Sequence, residues 1–345
     1  MQEILLDKEL PLDKPEPLPF PFNQRTFCRY EPIEKRIEAA RVLVIDDLLR
    51  DERDITDVAR QDWGRDLKLH LNRERLVAGL ALENILNNVS RLVKKPVTRV
   101  AHLSEIAAAA SGFRPDAIVL SGTLQDFDYY NPELIESFSR FIRETRTPVL
   151  GICGGHELVG LSYGARVVTL SNMEQHEQRA GRSFEYQYHF IRITAPLDPI
   201  FCGFDDPDSG LWQDYTREAG ILRVWQNHGL QLDRVPQGFE LLATSYKCRN
   251  QMMVKRTEGQ LIYTVQFHLE KSFQDLSRRQ DAHRLNPNLS PEERKRMLRD
   301  DAESRTRWAH QNESRDGRII FENFLREALS HVAASADSCP QDIDL

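Results

Sequence analysis

Cys153 stands in the run Pro148-Val149-Leu150-Gly151-Ile152-Cys153-Gly154-Gly155-His156-Glu157-Leu158. A short apolar strand stops at a cysteine set among glycines, and a helical pattern follows at once. This is the arrangement of a nucleophile elbow, whose central residue adopts a strained backbone while flanking glycines let strand and helix cross closely. The thiol then meets a helix N-terminus, where the dipole and free N–H groups favour a thiolate. A covalent nucleophile of this kind needs a base, and the base needs a group to orient it. The run Leu261-Ile262-Tyr263-Thr264-Val265-Gln266-Phe267-His268-Leu269-Glu270 offers both. An apolar strand ends at His268, and Glu270 points the same way for as long as strand geometry lasts. Glu270 is therefore expected to hold Nδ1 of His268 while Nε2 faces Cys153.

These side chains must be carried by regular elements. Arg41 to Asp47 reads as a buried strand with acids at its carboxyl end, and Glu74 to Leu92 as a helix. Pro96 to Ala101 and Asp116 to Leu120 read as further strands. Ser104 is expected to cap the alanine-rich helix between them. A helix from Pro132 to about Thr145 leads back to the Cys153 strand. Strands and helices alternate, which predicts an α/β fold with a mostly parallel sheet and helices on both faces. Chemistry in such sheets gathers at strand carboxyl ends, where Asp46, Ser121-Gly122-Thr123 and Cys153 all fall. The second half is richer in strands, with candidates at 186–193, 221–226, 239–245, 251–256 and 261–267. A last amphipathic helix, Ile319 to His331, is expected to cover the sheet.

Three segments read differently. Residues 1–38 carry five prolines between Pro11 and Pro21 and read as an extended arm. Residues 273–317 are charged and poor in apolar residues, a solvated helical insertion with a start at Pro291. Residues 334–345 read as a disordered acidic tail. The domain proper is thus expected over 39–333.

Composition narrows the partners. With 46 basic and 53 acidic residues, the net charge of −7 argues against a nucleic-acid surface. No apolar run approaches a membrane span, and acids near the start point to a cytoplasmic protein. Five scattered cysteines, with no Cys-x-x-Cys pair, speak against a zinc site and against a disulfide framework. No metal and no cofactor is expected. No Gly-x-x-x-x-Gly-Lys-Ser/Thr phosphate loop occurs, so any ATP-dependent activation is expected in a separate partner.

The quoted motifs resemble those of the class I glutamine amidotransferases, a family with a flavodoxin-like fold. Its elbow, Gly-x-Cys-x-Gly-x-Gln, is similar to Gly151-Ile152-Cys153-Gly154-Gly155-His156-Glu157, and its Gln-Phe-His-Pro-Glu segment to Gln266-Phe267-His268-Leu269-Glu270. Val119-Leu120-Ser121-Gly122 looks like the family's oxyanion loop. Gln226-Asn227-His228-Gly229 is similar to the segment that cradles glutamine. The resemblance implies that Cys153 attacks a glutamine side-chain amide, His268 shuttles the proton and Glu270 orients His268. It places the oxyanion hole at Gly122, Thr123 and Gly154, and substrate binding at Glu157, Asn227, Gly229 and Leu230.

Two departures from the family pattern bear on the substrate. Glu157 replaces a glutamine, which removes a donor and adds a charge. Thr123 replaces a glycine, which predicts a reshaped loop. Three readings follow: a glutaminase subunit supplying ammonia to a separate acceptor-activating synthetase, a γ-glutamyl hydrolase acting on γ-glutamyl amides, or a catalytically idle binding module. His156, His189 and His228 read as packing residues, and the other four cysteines as bystanders.

Overall fold

Alternating apolar residues decide which face each strand turns to which helix layer. A computed structural model of the chain describes residues 33–179, 181–204, 220–271, 290–308 and 315–337. The first strand, β1 (Ile37–Asp46), sends Val42 and Val44 to one face and Leu43 and Ile45 to the other, and both faces are sealed. A strand buried on two sides needs helices on both, as the sequence predicts.

Further strands follow as β2 (Val93–His102), β3 (Ala117–Leu120), β4 (Val149–Ile152), β5 (Val167–Thr169), β6 (Glu185–Ile193) and β7 (Ile221–His228). The last are β8 (Leu230–Leu232), β9 (Glu240–Thr244), β10 (Met252–Thr257) and β11 (Gln260–Val265). Nine of them form one sheet in the order β2-β1-β3-β4-β11-β10-β9-β6-β7, while β5 and β8 pair apart. From β2 to β11 every neighbour is parallel. From β11 to β7 every neighbour is antiparallel. Following these pairings across the sheet, only β10 and β6 run against the rest.

The helices are α1 (Asp57–Trp63), α2 (Leu67–Leu92), α3 (Ile106–Phe113), α4 (Pro132–Glu144), α5 (Gly154–Ser162), α6 (Pro291–Trp308) and α7 (Arg315–Asp337). On one face α2 packs Ile85, Val89 and Leu92, and α7 packs Ile320, Phe321, Phe324 and Leu325, against Val42, Val119 and Leu150. On the other, α3, α4 and α5 bring Ile106, Phe138 and Val159 against Leu43, Ile118 and Val149. Each fully buried aliphatic or aromatic side chain contributes about 1.5–3 kcal/mol, so these two layers hold the strand ends in register.

Local chemistry shifts some expected boundaries. Helix α4 starts where expected, with Asn131 accepting from Glu133 N and Pro132 in the first turn. Ser104 does not cap α3. A 3₁₀ turn, Leu103–Glu105, precedes that helix, and the His102 ring accepts from Ser104 N. Helix α7 runs through Asp337, four residues past the boundary expected at 333, because Ala333, Ala334 and Ala336 favour continued helix. Helix α6 begins at Pro291, where the charged insertion was expected to turn helical. Residues 1–32 of the expected arm, 273–289 and 309–314 of the insertion, and 338–345 of the tail lie outside the described residues, as do Cys28 and Cys339.

Candidate active site

The elbow forms as the glycines require. Cys153 caps α5 with φ 52 and ψ −105, a strained backbone for a residue with a Cβ. A Cβ on Gly151 would lie 2.8 Å from the carbonyl oxygen of Gly155, and one on Gly155 would lie 2.7 Å from Leu120 Cβ. Strand and helix cross too closely there for any side chain. The backbone is locked from both sides: Cys153 N donates to Val265 O of β11, and Gly155 N donates to Ser121 O beyond β3.

His268 and Glu270 follow β11. The His268 ring meets Glu270 through Nδ1, 2.7 Å from Oε1, and His268 N donates to Trp225 O of β7. Glu270 O in turn accepts from Asn88 Nδ2 of α2. Both side chains are buried. Burial pushes the Glu270 carboxyl up, but the His268 charge, their hydrogen bond and Lys271 outweigh it and hold Glu270 below the usual range. Burial, and next Lys271, pull the His268 imidazole down, which leaves it neutral and able to accept a proton.

Gly122 joins thiol to imidazole. A Cβ placed on it would lie 3.4 Å from His268 Cε1 and 3.5 Å from Cys153 Cβ. The sulfur residue and the ring therefore converge over one glycine, which has no side chain to part them. A Cβ on Gly154 would run into the backbone N and side chain of Thr123, so the Gly154 and Thr123 amides lie side by side near the nucleophile. Neither Gly122 nor Thr123 has positive φ; a β-branched residue fits because the loop takes ordinary backbone angles.

The thiol itself is less acidic than its helix position suggests. Burial pushes it up, the Glu157 carboxylate adds to this, and the Gly154 amide that favours thiolate is outweighed. The resting nucleophile is a thiol, and a base must activate it. Desolvation wins over the helix dipole because Cys153 is fully enclosed, whereas the dipole is worth about 1 kcal/mol.

Glu157 is buried on the first turn of α5, where Gln266 Nε2 donates to its Oε1 at 2.9 Å. Burial pushes Glu157 up to about 7, against the Gln266 hydrogen bond that lowers it. Asn227 is exposed at the end of β7, and Gly229 is closed off by Arg182 and Phe184, 2.8 and 3.0 Å from a Cβ placed there. Leu230 sits in the core, and its carbonyl contacts His228 Nδ1 at 2.8 Å. The structure thus joins Cys153, His268, Glu270, Gly122, Thr123, Gly154 and Glu157 in one place. Asn227, Gly229 and Leu230 are neighbours of His228 where β7 passes into β8.

Three packing expectations concern histidines near the site. His156 is fully buried, with Nδ1 2.8 Å from Thr264 Oγ1. His189 Nε2 meets Tyr186 O, and His228 Nε2 lies 3.1 Å from Glu185. Sequence reasoning gave no role to Gln266, although it stands in a quoted motif. It also missed the Arg182–Asp126 pair, with contacts of 2.6 and 2.7 Å, whose partners lie far apart in the chain. Among the described residues no cluster of His, Cys, Asp and Glu has the form of a metal site, and no helix is long and apolar enough to cross a membrane.

Comparison with known proteins identifies a family. The profile of the family described as Glutamine amidotransferase class-I matches residues 81–279. A protein from Methanocaldococcus jannaschii, named as one of the subunits of a glutamine-hydrolyzing GMP synthase, is 31% identical over 125 residues, 36% of this chain and 52% of that relative. One of the same name from Thermococcus kodakarensis is 29% identical over 51% of this chain and 75% of its own length. Against a protein from Ralstonia nicotianae, named as a glutamine-hydrolyzing GMP synthase, the match spans 46% of this chain but 25% of the relative, at 31% identity. A solved glutamine amidotransferase from Thermotoga maritima aligns with a TM-score of 0.46 at 17% identity, over 84% of this chain and 97% of that one.

Proposed function

We propose, for a chain that belongs to the class-I glutamine amidotransferase family, that it hydrolyses the side-chain amide of glutamine through a Cys153 thioester. The convergence of Cys153 and His268 over Gly122, with His268 tied to Glu270, carries this reading. His268 takes the thiol proton as sulfur attacks the carboxamide carbon. The carbonyl oxygen becomes an oxyanion facing the amides of Gly154 and of the Gly122-Thr123 loop, each such donor contributing about 3 kcal/mol to the transition state. Collapse of this intermediate breaks the C–N bond, and His268 returns the proton to the departing ammonia. Water, deprotonated by His268, then cleaves the thioester and releases glutamate. Glu157, Asn227 and the Gly229-Leu230 backbone would hold the amino-acid end of the substrate.

Ammonia would pass to a separate synthetase that activates an acceptor. The names of the relatives from Methanocaldococcus jannaschii and Thermococcus kodakarensis, each a subunit of a glutamine-hydrolyzing GMP synthase, support this. The test is ammonia release from glutamine by the purified chain, alone and with candidate synthetases, beside a Cys153→Ala variant. Release that depends on Cys153 is expected. No release under any of these conditions would overturn the proposal.

A further inference from the structure

One amide nitrogen is shared between an acid and the nucleophile. Gln266 Nε2 lies 2.9 Å from Glu157 Oε1 and 4.0 Å from Cys153 Sγ. The main chain of Gln266 is anchored by its N–H to Gln251 O, while its side-chain Oε1 is buried without a partner among the described residues. Several groups bear on the Glu157 carboxyl: Gln266 after β11, His228 on β7, and Asp126 and Arg182 from two loops. Asp126 and Arg182 are paired with each other, so their charges largely cancel at Glu157. The thiols of Cys153 and Cys248 feel Glu157 in turn.

We infer that Glu157 is a charge gate on the nucleophile: while its carboxylate is ionised, it adds to the burial that keeps Cys153 a thiol, and the ammonium group of an incoming substrate lifts that added restraint by neutralising the carboxylate. Two negative charges in one enclosed pocket repel strongly, so an anion at Glu157 opposes an anion at Cys153. A cation placed against Glu157 removes the opposition. The S–H bond then breaks, and its proton goes to the neutral His268 ring. The gate favours amides that carry a free ammonium and disfavours their N-acylated counterparts. It also spares the empty site from stray electrophiles. Burial leaves Glu157 ionising near pH 7, so the gate operates across the neutral range. The inference rests on Cys153 being the nucleophile, but not on glutamine being the substrate.

The test follows alkylation of Cys153 by iodoacetamide in the full chain, read by mass spectrometry of the Cys153 peptide. Glu157→Gln removes the charge and keeps the shape. It should alkylate about tenfold faster at pH 8, the effect of lowering a thiol pKa by one unit. In the wild type, log rate should rise with a slope below one between about pH 6 and 8, as Glu157 gains its charge, and with unit slope in the variant. Norvaline, which carries the ammonium but no amide to cleave, should speed alkylation of the wild type relative to N-acetylnorvaline at least ~3-fold more than it speeds that of the variant. Equal rates and slopes in the two proteins, or an equal response to norvaline, would overturn the gate. Glutamine hydrolysis on the same samples separates the questions: its absence with the gate intact counts against the glutaminase proposal alone.

Discussion

Two buried imidazole–carboxylate pairs lie in opposite halves of one sheet, and they differ in what each ring has left to offer. His268 and Glu270 follow β11 at the end of the parallel half, and His228 and Glu185 join β7 to β6 at the antiparallel edge. In the first pair Nδ1 is held by Glu270, and among the described residues Nε2 has no hydrogen-bond partner. In the second, Nδ1 meets Leu230 O, while Nε2 faces the Glu185 carboxylate at 3.1 Å without hydrogen-bond geometry. A ring with a free nitrogen beside a thiol can move a proton. A ring set between a carbonyl and a carboxylate braces its neighbours instead. The neighbours make the difference: the His268 ring lies over Gly122 beside Cys153, whereas the His228 ring lies between Leu230 O and Glu185.

The strongest way to break this comparison is to remove the chemistry from the first pair. Cys153→Ala and His268→Asn should each lower glutamine hydrolysis by about 10⁴-fold in an ammonia-release assay, with the melting curve little changed. A variant of either kind with near wild-type turnover would put the nucleophile or the base elsewhere.

Exchanging the carboxylates sharpens the contrast. Glu270→Gln should cost about 10²–10³-fold in kcat, because the ring loses its orientation. Glu185→Gln should instead lower unfolding free energy by about 3 kcal/mol, the cost of breaking a buried pair, with kcat per folded molecule within about threefold. Urea melts and turnover on the same samples decide, and the opposite pattern would reverse the assignment of the two pairs.

Acid should expose the structural pair more gradually. Burial pushes Glu185 up, but the His228 contact outweighs it and holds the carboxyl below its ordinary 4.5. A carboxyl depressed in the folded state stabilises above its unfolded pKa, and this stability is lost as pH falls through the folded value. The gap in stability between wild type and Glu185→Gln should therefore be full at neutral pH and narrow below 4.5. A gap that holds constant into acid would mean that the Glu185 charge contributes nothing.

The smallest expected effect concerns backbone strain at the elbow. Cys153→Gly should be about 1 kcal/mol more stable than Cys153→Ala, since φ 52 suits glycine and strains alanine. Equal stabilities in urea melts would show that the turn stores no strain.

Much of the site was legible because its signals are local. Glycines beside Cys153, an apolar strand ending at His268 and a carboxylate two residues later each reflect a short-range requirement. The parallel half was legible for the same reason, because doubly buried strands must be continuously apolar. Other features resisted reading because they depend on separate elements meeting. Two short strands, β5 and β8, carry three residues each and pair only with one another, too little pattern to stand out. Gln266 looked like part of a motif without a task until α5 placed Glu157 beside it. The thiol's acidity was misjudged for a related reason. The helix N-terminus is visible in sequence, but the enclosure that outweighs it is made by surrounding elements.

Residue order alone determined the α/β layering, the strained turn at Cys153 and the presence of an imidazole and a carboxylate at one strand end, since backbone geometry and side-chain periodicity act over a few residues. Only the tertiary structure decided that Gly122 brings thiol and imidazole together, that His228 is set between Glu185 and Leu230, and that Glu157 lies within reach of the nucleophile through Gln266. Charge, burial and the distances between remote strands become defined only when the sheet closes, because the dielectric around each group is set by whatever packs against it.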